Sequence, residues 1–159
     1  MRPSSRALLW VAALLALAVA GYLLLRPSDV PDQTQIAQQM EAARAAGERR
    51  DVGGIMAVVS PKYQDPNVPS PTQLRYILSR ALRGADPVVV TLSGSVISLQ
   101  GDAATSTSHL RVVSGSDGQV RYDHDVTLQW RREDAPRWGI VPAKQWRVVS
   151  ASYGGLFGD

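Results

Sequence analysis

The chain has 159 residues, with 17 lysines and arginines against 14 aspartates and glutamates, two histidines and no cysteine. The small excess charge of +3 is carried almost wholly by arginine, and Arg131, Arg132 and Arg137 are interleaved with Glu133 and Asp134, so no one-signed nucleic-acid face is expected. Without cysteine there is no disulfide framework and no lipid-bearing cysteine, and two histidines leave little for a zinc site.

The chain opens on a basic stretch, residues 1–6, with Arg2 and Arg6, followed by an uncharged apolar run over residues 7–25. At helical rise that run spans roughly 28 Å, close to one bilayer hydrocarbon core. A cleaved secretory signal is the alternative, and Ala18-Val19-Ala20 offers a small-residue cleavage site. Tyr22 to Leu25 continue the apolar stretch past it, which favours an uncleaved signal-anchor. The positive-inside rule then keeps Arg2 and Arg6 in the cytoplasm and turns the rest toward a periplasm or extracellular space. Residues 26–31 contain Pro27 and Pro31 and read as a linker.

Residues 32–153 are enough for one domain with a single core. The first helix is expected to start at Asp32 as the capping residue, with Gln35 completing a capping box. Ile36, Met40 and Ala43 form its buried side. A short second helix carries Val52, Ile55, Met56 and Val59 at the spacing of one buried stripe and ends at Pro61. The third has Ser70 as cap, Pro71 at the first helical position, Gln73 completing the box and a stripe of Leu74, Ile77, Leu78, Ala81 and Leu82, with Gly84 as terminator.

Strands occupy the rest. Val88 to Leu92 is β-branched, Gly94 allows a bulge, and Val96 to Leu99 continues to a two-residue turn at Gly101-Asp102. Ala104, Ser106, Ser108, Leu110 and Val112 then alternate with Thr105, Thr107, His109 and Arg111. After the Gly115 to Gly118 loop, Val120, Tyr122, His124, Val126, Leu128 and Trp130 share one face, and Arg121, Asp123, Asp125, Thr127, Gln129 and Arg131 the other. A last strand covers Trp146 to Ala151. Helices first and hairpin-linked strands after indicate an α+β fold. The stretch 139–144 reads as an insertion, Trp138 as a residue of the core, the rim or a partner surface, and residues 154–159 as a glycine-rich tail bearing Leu156 and Phe157.

The order of these motifs resembles the nuclear transport factor 2-like superfamily, with its SnoaL-like and cystatin-like relatives. The resemblance rests on Ser60, Pro61, Tyr63 and Asp65 after a short helix, then Gly101, Asp102 and Ala104 at a hairpin. A strand ending in Trp130 and a terminal strand from Trp146 to Val149 complete it. It implies a cone of three helices packed on a curved antiparallel sheet, with a pocket between them. In enzymes of the superfamily a carboxylate or histidine sits inside the cone, which makes Asp65, Tyr122 and His124 the pocket candidates. His124 paired with Asp65 would be a general base and Tyr122 would polarise a carbonyl.

The same residues also have structural uses. A histidine on an apolar strand face can be satisfied by a neighbour, and an aspartate after a helix can bind loop amides. Asp123, His124 and Asp125 do not form a metal site, because alternation sends His124 to the opposite face, and His109 is expected at the surface. Gly53-Gly54 lacks the lysine of a phosphate loop. The chain thus reads as a membrane-anchored, extracytoplasmic, non-catalytic binding or assembly module with no cofactor. Its alternative is a tethered isomerase or lyase acting on a small apolar carbonyl compound. The partners expected are the membrane, a protein or small apolar ligand, and a second copy through the sheet face.

Overall fold

The computed structural model describes residues 30–83, 86–134 and 143–154. The apolar run at 7–25, the linker at 26–29, Gly84, Trp138, most of the 139–144 insertion and the tail at 155–159 lie outside the described residues. Among the described residues, no helix is long and apolar enough to cross a membrane.

Helices α1 (Asp32–Glu48), α2 (Val52–Ala57) and α3 (Pro71–Ala81) precede strands β1 (Val88–Gln100), β2 (Ala103–Ser114), β3 (Val120–Asp134) and β4 (Lys144–Tyr153). The strands form one antiparallel sheet in the order β1-β2-β3-β4, which is the expected α+β arrangement. Gln100 pairs with Ala103 around the Gly101-Asp102 turn. At Gly94, whose φ is +61°, the β1–β2 register shifts between Ser93 and Val96. Further shifts fall between Val112 and Val113 and between Gln129 and Trp130. Each bulge bends its strand and adds twist, so the sheet curves around the helices.

α3 begins as its sequence dictates: Ser70 Oγ accepts from the Gln73 amide at 3.2 Å, and Pro71 takes the first turn. α1 does not. Pro31 stands at its cap position and no side chain caps it; Asp32 is already helical. The Asp32 carboxylate instead takes a hydrogen bond from Trp146 Nε1 at 3.1 Å and pairs with the Arg132 guanidinium. The reason is one of cost. Amides at an exposed helix start can turn to water, whereas a buried indole N–H left unpaired has no such recourse. The expected box partner, Gln35, donates its side-chain amide to the Val30 carbonyl at 2.7 Å.

α2 is capped by Asp51, whose carboxylate accepts from the Gly54 amide at 2.9 Å. A Cβ at Gly54 would lie 2.8 Å from that of Ala46, so the missing side chain lets α2 press against α1. The helix ends at Ala57, which removes Val59 from the expected helical stripe. Val58 to Ser60 runs instead beside β4 as a short parallel bridge: the Val148 amide donates to the Val58 carbonyl, and the Ser60 amide to that of Val148, both at 2.9 Å. Backbone pairing wins here because the β4 edge offers donors and acceptors that must be matched once buried.

The core gathers at one end of the cone, where Ile36 and Met40 of α1 meet Trp130, Trp146 and Val148 of the sheet. Trp130 donates its indole N–H to Ser106 Oγ at 2.8 Å, so both large rings are buried with their polar atoms satisfied. Asp32→Ala would strip the Trp146 indole and the Arg132 guanidinium of their shared acceptor. It is expected to lower stability by about 2 kcal/mol, read from denaturant melts of the full chain.

Candidate functional site

Along the inner face of β3 the cover thins from buried Trp130 through half-buried Leu128 and Val126 to exposed His124, beyond which Tyr122 is half-buried and Val120 exposed. The thinning opens a cavity of about 780 Å³ between sheet and helices. Its walls are Met40 and Ala43 of α1, Leu78 and Leu82 of α3, Val90 and Leu92 of β1, Leu110 and Val112 of β2, and Val126 and Leu128 of β3. That size lies within the roughly 300–1,000 Å³ of small-molecule sites. On β2 the inward Ser108 borders this space and is too small to fill it, while Ala104 and Ser106 pack beside Trp130 at the filled end. Ser108 adds little polarity, because it pairs with Ser95 at 2.8 Å.

The polar groups that line the cavity besides Ser108 are Arg44, Arg50, Asp86, Ser114, Arg121 and Tyr122. Arg44 is held between Glu41 and Glu48, each 2.7 Å away. Arg121 pairs with Asp117 at 3.1 Å. The Tyr122 hydroxyl is covered and has no hydrogen-bond partner among the described residues, and burial raises its pKa. Of the pocket candidates from the sequence, Tyr122 alone lines this cavity.

Asp65 has another occupation. One carboxylate oxygen accepts the amides of Asn67 and Val68, both at 2.7 Å, and the other accepts the Tyr63 hydroxyl and, at 3.4 Å, that of Tyr153. This buried carboxylate ties the loop after α2 to the end of β4. Burial, then the bond to Asp65, pushes the Tyr63 hydroxyl far up. Burial and the Asp65 charge push that of Tyr153 up to about 12. Ser60 completes the segment by donating to Glu133 at 2.8 Å and accepting the Lys62 amide at 2.9 Å. His124 is exposed and meets Tyr122 edge-on, with ring centroids 5.1 Å apart. Among the described residues no hydrogen bond joins it to Asp65.

A cluster not anticipated from the sequence lies on the outward face. His109 of β2 has Asp125 at 2.8 Å from Nδ1 and Asp123 at 2.6 Å from Nε2, both across on β3. The signal was available, because alternation already put all three on that face and the β2–β3 register sets His109 opposite Asp125. Among the described residues no group of three or more acidic or histidine side chains is arranged to hold a metal ion. The hydrogen bond to Asp125, then that to Asp123, raises the His109 pKa. A raised folded-state pKa means that the stabilisation is complete below the ordinary imidazole value of about 6.5 and is lost as pH climbs through the folded value. An NMR titration of the full chain should place His109 above the ordinary value, and Asp125→Asn should bring it back toward that value.

No family model matches the chain, and no curated protein matches it. Solved structures do. A nuclear transport factor 2-like protein of unknown function from Pseudomonas putida superposes with a TM-score of 0.63 at 20% identity, covering 76% of this chain and 83% of that one. A cystatin-like protein of unknown function from Nostoc punctiforme gives 0.62 at 17%, covering 80% and 93%. A nuclear transport factor 2-like protein with a cystatin-like fold from Novosphingobium aromaticivorans gives 0.62 at 18%, covering 92% of both. At these identities the likeness speaks to architecture alone: the domain has the nuclear transport factor 2-like, cystatin-like fold.

Proposed function

We propose that this protein is a membrane-anchored, extracytoplasmic binding module that takes a small apolar molecule into the cone. The observation that carries the reading is the open cavity of about 780 Å³, walled by aliphatic side chains from three helices and four strands. An apolar wall of that extent exposed to water is unfavourable by itself, and an apolar guest would recover the lost burial. The run at 7–25, with Arg2 and Arg6 before it, supports the anchor and its orientation. An isomerase or lyase on the same fold would need a base at the cavity wall. Asp65 is committed to its loop amides and tyrosines, neither it nor His124 lines the cavity, and the carboxylate that does line it, Asp86, is exposed to water.

The test is photolabelling of the full chain in membranes with a neutral apolar diazirine probe, followed by peptide mapping. Labels are expected on the inward residues of β2 and β3 and on α3. Leu128→Trp, which fills the cavity from its wall, should cut that labelling about tenfold while the chain still melts cooperatively. Labels confined to residues 7–25, or cavity labels indifferent to Leu128→Trp, would sink the reading.

A further inference from the structure

We propose that the outward side of α3 docks on an anionic lipid surface through Arg75, Arg80 and Arg83. The inference goes beyond the cavity and takes from the reading above only the nearness of a membrane. α3 has two unlike sides. At about 100° per residue, Leu74, Ile77, Leu78, Ala81 and Leu82 fall on one, and Thr72, Arg75, Tyr76, Arg80 and Arg83 on the other. The fold uses the first side: Leu74 and Ile77 pack against the core, and Leu78, Ala81 and Leu82 line the cavity. The second side is left in water. Its three arginines are exposed, and Tyr76 between them is 63% exposed, far more than a structural tyrosine needs.

The charge on that side is uncompensated. No acidic residue occurs between Asp65 and Asp86, and Asp65 is buried among its own donors. α2, the helix packed against α3, contributes no charged residue. Among the described residues, Arg44, Arg121 and Arg132 each hold a carboxylate, whereas Arg75, Arg80, Arg83 and Asp86 enter no ion pair. Three free guanidinium groups around an exposed tyrosine suit a lipid surface, where the guanidinium groups meet headgroup phosphates and the ring sits at the polar–apolar boundary. The linker at 26–31 reaches at most about 20 Å, so an anchored chain keeps this domain beside the bilayer, which favours lipid over nucleic-acid phosphate. Docked this way, α3 alone, about 10 Å across, separates the lipid from the cavity that its other side lines.

The chain has no cysteine, so Thr72→Cys on the same side of α3 gives a single site for a polarity-sensitive fluorophore. The labelled full chain is reconstituted in phosphatidylcholine vesicles with and without phosphatidylglycerol. Its emission is expected to shift to shorter wavelength only where phosphatidylglycerol is present, and high salt should reverse the shift. Each arginine contributes roughly fivefold to the docked-to-undocked ratio, so Arg75→Gln, Arg80→Gln and Arg83→Gln together should lower it roughly a hundredfold while the chain still melts cooperatively. Equal emission in the two vesicles, or a shift that survives both high salt and the triple substitution, overturns the docking. Flotation with vesicles in high salt reads the anchor separately. A chain that floats there without an arginine-dependent shift loses this docking and keeps its anchor; one that washes off but shifts on phosphatidylglycerol at low salt loses the anchor and keeps the docking.

Discussion

The Asp32 carboxylate is the contact on which the arrangement of this domain turns. α1 brings only a thin apolar strip to the sheet, with Ile36, Met40 and Ala46 its buried residues. Polar bonds near its two ends supply much of the remaining attachment. At the start, Asp32 joins the Trp146 indole and the Arg132 guanidinium, which itself lies 5.3 Å from the centre of the Trp146 ring. At the finish, Arg44 donates to the Val90 carbonyl and Glu48 accepts the Val90 amide, both at 3.1 Å. A helix tied at both ends to β4 and β1 spans the sheet, and the space beneath its second half depends on the side chains that face it.

Those side chains divide the cone into a filled end and an open one. Trp130 and Trp146 occupy the end near the Asp32 contact, each with its N–H matched, so the interior there is packed with both indole N–H groups paired. Further along, the inward residues are leucines and valines opposed by small serines on β2, and their volume does not suffice to close the space. Arg50, in its left-handed turn after α1, is among the residues that line this space.

Of the residues that most resembled catalytic groups, Asp65 is used to hold the chain together. Asp65 organises four donors around one carboxylate, and its tyrosine partners are locked in their neutral form by burial and by the adjacent charge. The Ser60-Pro61-Tyr63-Asp65 segment is therefore a knot between the helical half and β4. His109, expected only as a surface residue, takes part in the closest charge contacts on the outward face.

Much of the fold was legible in the chain. Period-two alternation over Ala103–Ser114 and Val120–Asp134, glycines at the bulge and the hairpin, and the Ser70-Pro71 start of α3 are local signals, and local geometry obeys them. The order of motifs was enough to suggest the cone. The roles of Asp32 and Asp65 and the placement of Arg50 were not legible, because each depends on partners or walls far away in sequence. Asp32 meets residues 100 and 114 positions on, Asp65 meets Tyr153 88 positions on, and Arg50 borders a chamber built from both halves of the chain. Side-chain periodicity determines which face a residue takes; only tertiary packing decides which donor, acceptor or open volume waits there.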